Sequence, residues 1–342
     1  MHPAHPSIPQ GTIVRERFTS AVLHGNPLGD PTEREVIVYL PPSYAATPKR
    51  RFPVLFVLTG FLGTGAKLLN WEAFQPTVPD YLDAAAAGDP ARGEFIAVFP
   101  DCFTSFGGSQ YINSVAVGDY EAYVLELVAY VDATYRTRGA AARGITGHSS
   151  GGYGALVHAM RHPDVWNAVA CRSGDMAFEL CFMHDFPEVC NILGRAGGLA
   201  RWWAEVTTRE RRISNDFPAH NIIAMAACYS PNLANQPLPI DLPFDIETSE
   251  TIPAIWERWL AHDPLHLIAQ PATQDALRSL KMLHFECGRR DEFLLHFGAR
   301  RLDRQLAALG IAHTYTETDD GHSGTNYRYP AILAQFAEVW GA

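Results

Sequence analysis

An α/β fold, a mostly parallel central sheet with helices on both faces, is predicted by three observations. Apolar runs of strand length alternate with segments of helical spacing, as buried strands joined by helical crossovers require. The turn Gly147-His148-Ser149-Ser150-Gly151, followed closely by Gly152 and Gly154, joins one such strand directly to one such helix. Two residues able to work with a serine, Asp291 and His322, each lie just past the end of a later strand.

The elements follow in order along the chain. Residues 1–12 read as a loose tail. Strands are expected over 12–24, 35–40 and 54–59, a helix over 80–87, and a strand over 94–99. The stretch 120–136 carries apolar residues at helical spacing, and 140–146 leads from a polar turn into a short strand. Tyr153, Ala155, Leu156, Val157 and Met160 keep helical spacing up to His162-Pro163, where the proline stops the helix. A strand over 165–171 runs into Ser173-Gly174. Later come a buried strand over 280–287, a helix over 293–309 and a strand over 312–318.

Between the strands at 165–171 and 280–287 the connection is far longer than one crossover helix needs. Residues 176–279 therefore read as a helical cap inserted into a core made of 13–175 and 280–342. Trp202, Trp203, Trp256 and Trp259 lie in it, and Phe178, Phe182, Met183 and Phe186 open it. Most of these aromatics are expected to form the cap's own core, with one or two lining a pocket. A cap supplies apolar walls and excludes water.

A serine on a sharp strand-to-helix turn has a strained backbone, and glycines beside it let strand and helix approach closely. The turn holds the hydroxyl at a helix N-terminus, where backbone N–H groups favour developing negative charge. Ser149 is accordingly the candidate nucleophile. Its base is expected to be His322 and the orienting acid Asp291, because acid and then histidine follow the serine in chain order. Asp263, Asp319 and Asp320 are rival acids, and Asp291 could instead pair with Arg289 or Arg290 or cap the next helix. The loop 101–119 leaves a strand at the same edge. Its Phe103, Phe106, Tyr111 and Asn113 are candidate substrate contacts, together with Gly60.

These motifs resemble the esterase D family of α/β-hydrolases, and the likeness covers most of the chain. It is carried by Val36-Ile37-Val38-Tyr39-Leu40-Pro41-Pro42, Phe52-Pro53-Val54-Leu55-Phe56-Val57-Leu58-Thr59-Gly60 and Phe99-Pro100-Asp101. It continues through Asp119-Tyr120-Glu121-Ala122-Tyr123, the serine turn, His162-Pro163-Asp164 and Ser173-Gly174. The family includes S-formylglutathione hydrolases, feruloyl and acetylxylan esterases, ferric-enterobactin esterases and antigen 85 mycolyltransferases. The resemblance implies an α/β-hydrolase fold, with the triad on Ser149, Asp291 and His322. It also implies an oxyanion hole formed by the N–H groups of Phe61 and Ser150. The chain departs from the family by having Thr59-Gly60 where His-Gly is common. A backbone N–H does the work there, so the hole can survive the change while its loop takes another shape.

The expected activity is serine carboxylic-ester hydrolysis of a small-to-medium ester through an acyl-enzyme. Alternatives are a thioesterase like the S-formylglutathione hydrolases, an acyltransferase, and a non-catalytic binding protein on a hydrolase scaffold. The 342 residues, 47% hydrophobic and 19% charged, are enough for one such domain with a cap. A net charge of −10 argues against nucleic acid or an anionic membrane as partner, and no apolar run approaches membrane-spanning length. The partner expected is a small-molecule ester or thioester, and the sequence leaves a homo-oligomer open. The first residues lack the basic and apolar regions of a signal peptide, so a cytoplasmic location is expected. Six cysteines show no metal or redox spacing and read as free thiols, Cys181 and Cys190 being a pair that could bridge on export. His158/His162 and His262/His266 have metal-compatible spacing without an obvious third ligand, so neither metal nor cofactor is expected.

Overall fold

A computed structural model describes residues 8–210 and 215–341; most of the expected tail, residues 1–7, lies outside the described residues. Eight strands form the central sheet: β1 (Thr12–Thr19), β2 (Glu33–Leu40), β3 (Val54–Leu58), β4 (Ile96–Pro100), β5 (Arg143–His148), β6 (Ala168–Arg172), β7 (Met282–Gly288) and β8 (Thr314–Thr318). Their spatial order is β1-β2-β4-β3-β5-β6-β7-β8. β2 runs antiparallel to both neighbours, and every other pair is parallel.

Strand β3 explains why the sheet needs two covering layers. Val54, Phe56 and Leu58 join the core on one face, while Leu55 and Val57 join the core on the other. A strand buried on both faces reads as a continuous apolar run. On the first face lie α2 (Tyr120–Thr134), α3 (Ser150–Arg161) and α11 (Leu295–Ala308). On the second face lie α1 (Val78–Gly88) and α12 (Tyr329–Trp340). Helix α12 is an addition to the expected elements. It starts with Pro330 in its first turn and buries Ile332, Leu333 and Phe336.

β1 ends at Thr19, five residues short of the expected strand. Turns take over beyond it. The Asn26 side chain donates to the Leu23 and Asp30 carbonyls, and Gly25 and Gly29 adopt positive φ.

The register aligns the strand ends that carry the chemistry. Leu58 lies opposite Gly147, His148 opposite Arg172, and Arg172 opposite Glu286. Gly288 in turn lies opposite Thr318. The loops that hold Gly60, Ser149, Asp291 and His322 therefore leave the sheet side by side at its carboxyl edge.

The segment between β6 and β7 contains, among its described residues, seven α-helices: α4 (Phe178–Cys181), α5 (Phe186–Ala196), α6 (Leu199–Thr208), α7 (Phe217–Tyr229), α8 (Pro253–Leu260), α9 (Pro264–Leu267) and α10 (Pro271–Ser279). Trp202 and Trp259 are fully buried, and Trp259 meets Phe182, Phe186, Tyr229 and Trp256 in one aromatic cluster. This cluster is continuous with the core on the α3 face of the sheet.

Candidate active site

Ser149 sits between β5 and α3 with φ 59° and ψ −127°, a conformation that L residues adopt only under constraint. Gly147, Gly151 and Gly152 supply the constraint. A Cβ on Gly151 would stand 2.5 Å from the Leu58 carbonyl oxygen, and one on Gly152 2.5 Å from that of Arg172. The strands on either side leave no room for a side chain there. The Ser149 N–H donates to the Arg172 carbonyl at 3.0 Å, tying the turn to β6.

His322 follows β8. Its Nε2 lies 3.0 Å from Ser149 Oγ, and its Nδ1 lies 2.8 Å from Asp291 Oδ2. The carboxylate accepts at Nδ1, so Nε2 is left to accept the serine proton. The Asp291 carboxylate is buried and also accepts the Phe293 N–H at 3.0 Å. The rival acids are engaged elsewhere. Asp263 accepts N–H groups from Ala177, Phe178 and Leu265, Asp320 accepts from Tyr327, and Asp319 pairs with Arg289 and Arg290.

His148 is packed against the His322 ring, 4.6 Å between centroids, and its Nε2–H donates to the His322 carbonyl at 2.8 Å. Burial, with the neighbouring His322 adding to it, holds the His148 imidazole well below its ordinary pKa. Neutral His148 thus braces the His322 backbone without placing a second cation beside the ring. The Glu292 carboxylate accepts the His322 N–H at 2.7 Å.

The Thr59-Gly60-Phe61 loop crosses in front of the serine, and a Cβ on Gly60 would be 3.4 Å from that of Ser149. Tyr111 braces the loop from behind. Its hydroxyl accepts the Thr59 N–H at 2.9 Å and donates to the Thr59 carbonyl at 2.7 Å, while Thr59 Oγ1 donates to the Gly63 carbonyl. Tyr111 is itself held by His158, whose Nε2–H donates to the Tyr111 carbonyl. His162 donates to Glu121, so the two histidines of α3 serve different partners.

Two spaces lie near this site, and Ser149 itself borders the first. One, about 30 Å³, lies under the β6–β7 segment among Phe61, Ser150, Asp175, Phe182, Phe217 and Phe293. Of the cap aromatics named from the sequence, Phe182 lines this space, and Phe217 of the same segment joins it. The other, about 330 Å³, is a more open and more polar groove bordered by Gly60, Lys67, Asn70, Glu72, His148 and Ser323.

The structure brings Ser149, His322, Asp291, Phe61, Ser150 and Gly60 together. It does not bring the other four loop residues to either space. Tyr111 is the brace described above, and Phe106 is buried against Trp203. Phe103 lies on a short ladder with Gly108, and Asn113 accepts the Ala122 N–H at the start of α2. Sequence reading passed over Asp175 and Gln110. Asp175 follows β6 just as Asp291 follows β7, so the strand-end rule that selected one selects the other. Gln110 carried no comparable signal.

A serine on a strained strand–helix turn, a histidine and a buried acid at the edge of this eight-stranded sheet define the α/β-hydrolase class. A family model described as "Putative esterase" matches residues 30–331, and the chain belongs to that esterase family. The family assignment makes it a hydrolase of the esterase kind. Solved structures with the same fold include a ferulic acid esterase at 20% identity, covering 96% of this chain and 98% of that one with a TM-score of 0.59. A fluorophosphonate-binding serine hydrolase of Staphylococcus aureus is 16% identical over 96% and 98% of the two chains, with a TM-score of 0.60. An S-formylglutathione hydrolase from Agrobacterium tumefaciens is 16% identical over 96% of each chain, with a TM-score of 0.58.

Proposed function

We propose that the chain hydrolyses carboxylic esters of short acyl groups through an acyl-enzyme on Ser149. The observation that carries this reading is the hydrogen-bonded series Asp291–His322–Ser149, at 2.8 and 3.0 Å, ending on a strained serine. His322 takes the Ser149 proton as Oγ attacks the ester carbonyl, and Asp291 holds the imidazole in the working tautomer and stabilises its cation. The N–H groups of Phe61 and Ser150 receive the oxyanion. His322 then protonates the departing alcohol, water attacks the acyl-enzyme with His322 again as base, and the acid is released.

The leaving group takes its proton from His322, so it departs on the side of the groove next to Ser323. The acyl group is left in the cavity under the β6–β7 segment, which acts as a cap in this reading. A cavity of about 30 Å³ favours short acyl chains. The same restriction supports a second reading, hydrolysis of a short-acyl thioester with a bulky polar thiol in the groove.

Initial rates on p-nitrophenyl esters from acetate to laurate test the proposal. Activity is expected to peak at acetate or butyrate and to fall by roughly 10⁵-fold or more in Ser149→Ala. Equal activity of wild type and Ser149→Ala would refute it. Rates on S-formylglutathione beside p-nitrophenyl acetate separate the thioester reading from the ester one.

A further inference from the structure

Asp175 is a buried carboxylate that the mechanism above does not use. It lies on the wall of the acyl cavity with Phe182, Phe217 and Asn221. Among the described residues its carboxylate accepts one hydrogen bond, from Gln110 Nε2 to Oδ2 at 2.9 Å. A buried charge is costly unless several donors satisfy it, so a carboxylate left with one is unusual. Burial pushes its pKa up to about 6; the Gln110 hydrogen bond and His322 oppose that rise, and Asp291 adds to it.

The surrounding backbone is built to keep the group there. Ser173 and Ala177, two residues to either side, have φ of 42° and 57°, and Gln110 has 52°. Three of the few non-glycine residues in this region of φ thus converge on one side chain. The Asp263 carboxylate locks the turn by accepting the Ala177 and Phe178 N–H groups. Gln110 is fully buried and its amide nitrogen donates to both Asp175 and the Tyr229 hydroxyl, the latter at 2.7 Å. Among the described residues its amide oxygen has no donor. The reverse amide orientation would set that oxygen against the carboxylate, so the amide is committed to orienting Asp175.

We infer that Asp175 is a specificity-determining residue, which accepts a hydrogen bond from a hydroxyl group on the acyl part of the substrate. The inference rests on the esterase reading and names its substrate class, esters of short hydroxy acids. A hydroxyl is favoured over an ammonium because an ammonium brings three N–H donors. Besides Asp175 the wall offers only neutral acceptors, the Asn221 amide and the Ser149 and Ser150 hydroxyls, and its remaining side chains are Cys181 and four phenylalanines, so an ammonium would find no second charged partner among the described residues.

The test is kcat/KM, measured by pH-stat at pH 8, on two matched pairs: ethyl acetate with ethyl glycolate, and ethyl butyrate with ethyl 3-hydroxybutyrate. Wild type is compared with Asp175→Asn and Asp175→Ala. The preference of each enzyme for the hydroxylated member is read as a ratio within one preparation, so a partly misfolded variant still reports. The comparison between enzymes cancels the intrinsic reactivity of the hydroxy esters. In at least one pair, the preference is expected to fall about ten- to hundredfold in both variants, the range for a hydrogen bond to a charged group. A preference unchanged in the variants, with all esters turned over, overturns the inference and leaves the esterase reading standing. Wild type inactive on all four esters overturns both. Glycine ethyl ester preferred over ethyl glycolate, with that preference lost in Asp175→Asn, overturns the hydroxyl assignment.

Discussion

His322 has a partner on each of its four polar atoms: Asp291 at Nδ1, Ser149 at Nε2, Glu292 at the backbone N–H and His148 at the carbonyl. It is therefore held from two separate segments, the β5–α3 turn and the loop after β7, which suits a base that must meet a serine within about 3 Å. Asp175 stands in the opposite condition, placed with care and poorly satisfied. Its carboxyl pKa is raised from 3.8 to about 6 by burial, with Gln110 and His322 opposing and Asp291 and Asp263 adding to the rise. The folded state holds the proton more tightly than the unfolded chain, so this group costs stability as pH rises from about 4 through 6. Asp175→Asn keeps an acceptor for Gln110 and removes the buried charge. Urea unfolding is expected to show the variant about 3 kcal/mol more stable than wild type at pH 8, with most of the gain gone at pH 4.5. A variant less stable than wild type at pH 8 would mean that the carboxylate is well satisfied in the fold.

At the scale of elements, the turn at Ser149 and the loop 101–119 differ in how well sequence reveals them. The turn is legible because its requirements fall on glycine. Gly147, Gly151 and Gly152 each face backbone atoms within 2.5 Å of a would-be Cβ, and only that residue type can stand there. The loop 101–119 is not legible in this way, because nothing in its spacing says which way Tyr111 points. Sequence reading puts Tyr111 at the substrate, whereas it stands behind the Thr59-Gly60-Phe61 loop and holds it by two hydrogen bonds to Thr59. Tyr111→Phe removes both bonds while keeping the ring. On p-nitrophenyl acetate, kcat is expected to fall about tenfold with a smaller change in KM, since a misplaced oxyanion donor weakens the transition state more than substrate binding. An unchanged kcat would remove Tyr111 from the positioning of that loop.

At the scale of the whole molecule, the site is assembled from residues far apart in the chain, and the parallel register does the assembling. β3, β5, β6, β7 and β8 end in line, so the loops after them converge on one edge. Strand-end position and chain order single out Ser149, Asp291 and His322 among many alternatives, including the 14 histidines, and these three lie within hydrogen-bond distance in series. The β6–β7 segment was readable only as a long aromatic insertion. Its helices pack on one another through Phe182, Phe186, Tyr229 and Trp259, a pattern set by tertiary contact and not by local spacing. Helix α12 went unassigned, although its apolar face closes the second side of the sheet.

On this reading Ser149, His322 and Asp291, far apart in the chain, form one activated serine. Intact-mass analysis after brief exposure to a fluorophosphonate, followed by peptide mapping, tests it most directly. One adduct per chain is expected, on Ser149, with labelling slowed at least a hundredfold in His322→Ala. An unlabelled wild type, or labelling equally fast in His322→Ala, would contradict it.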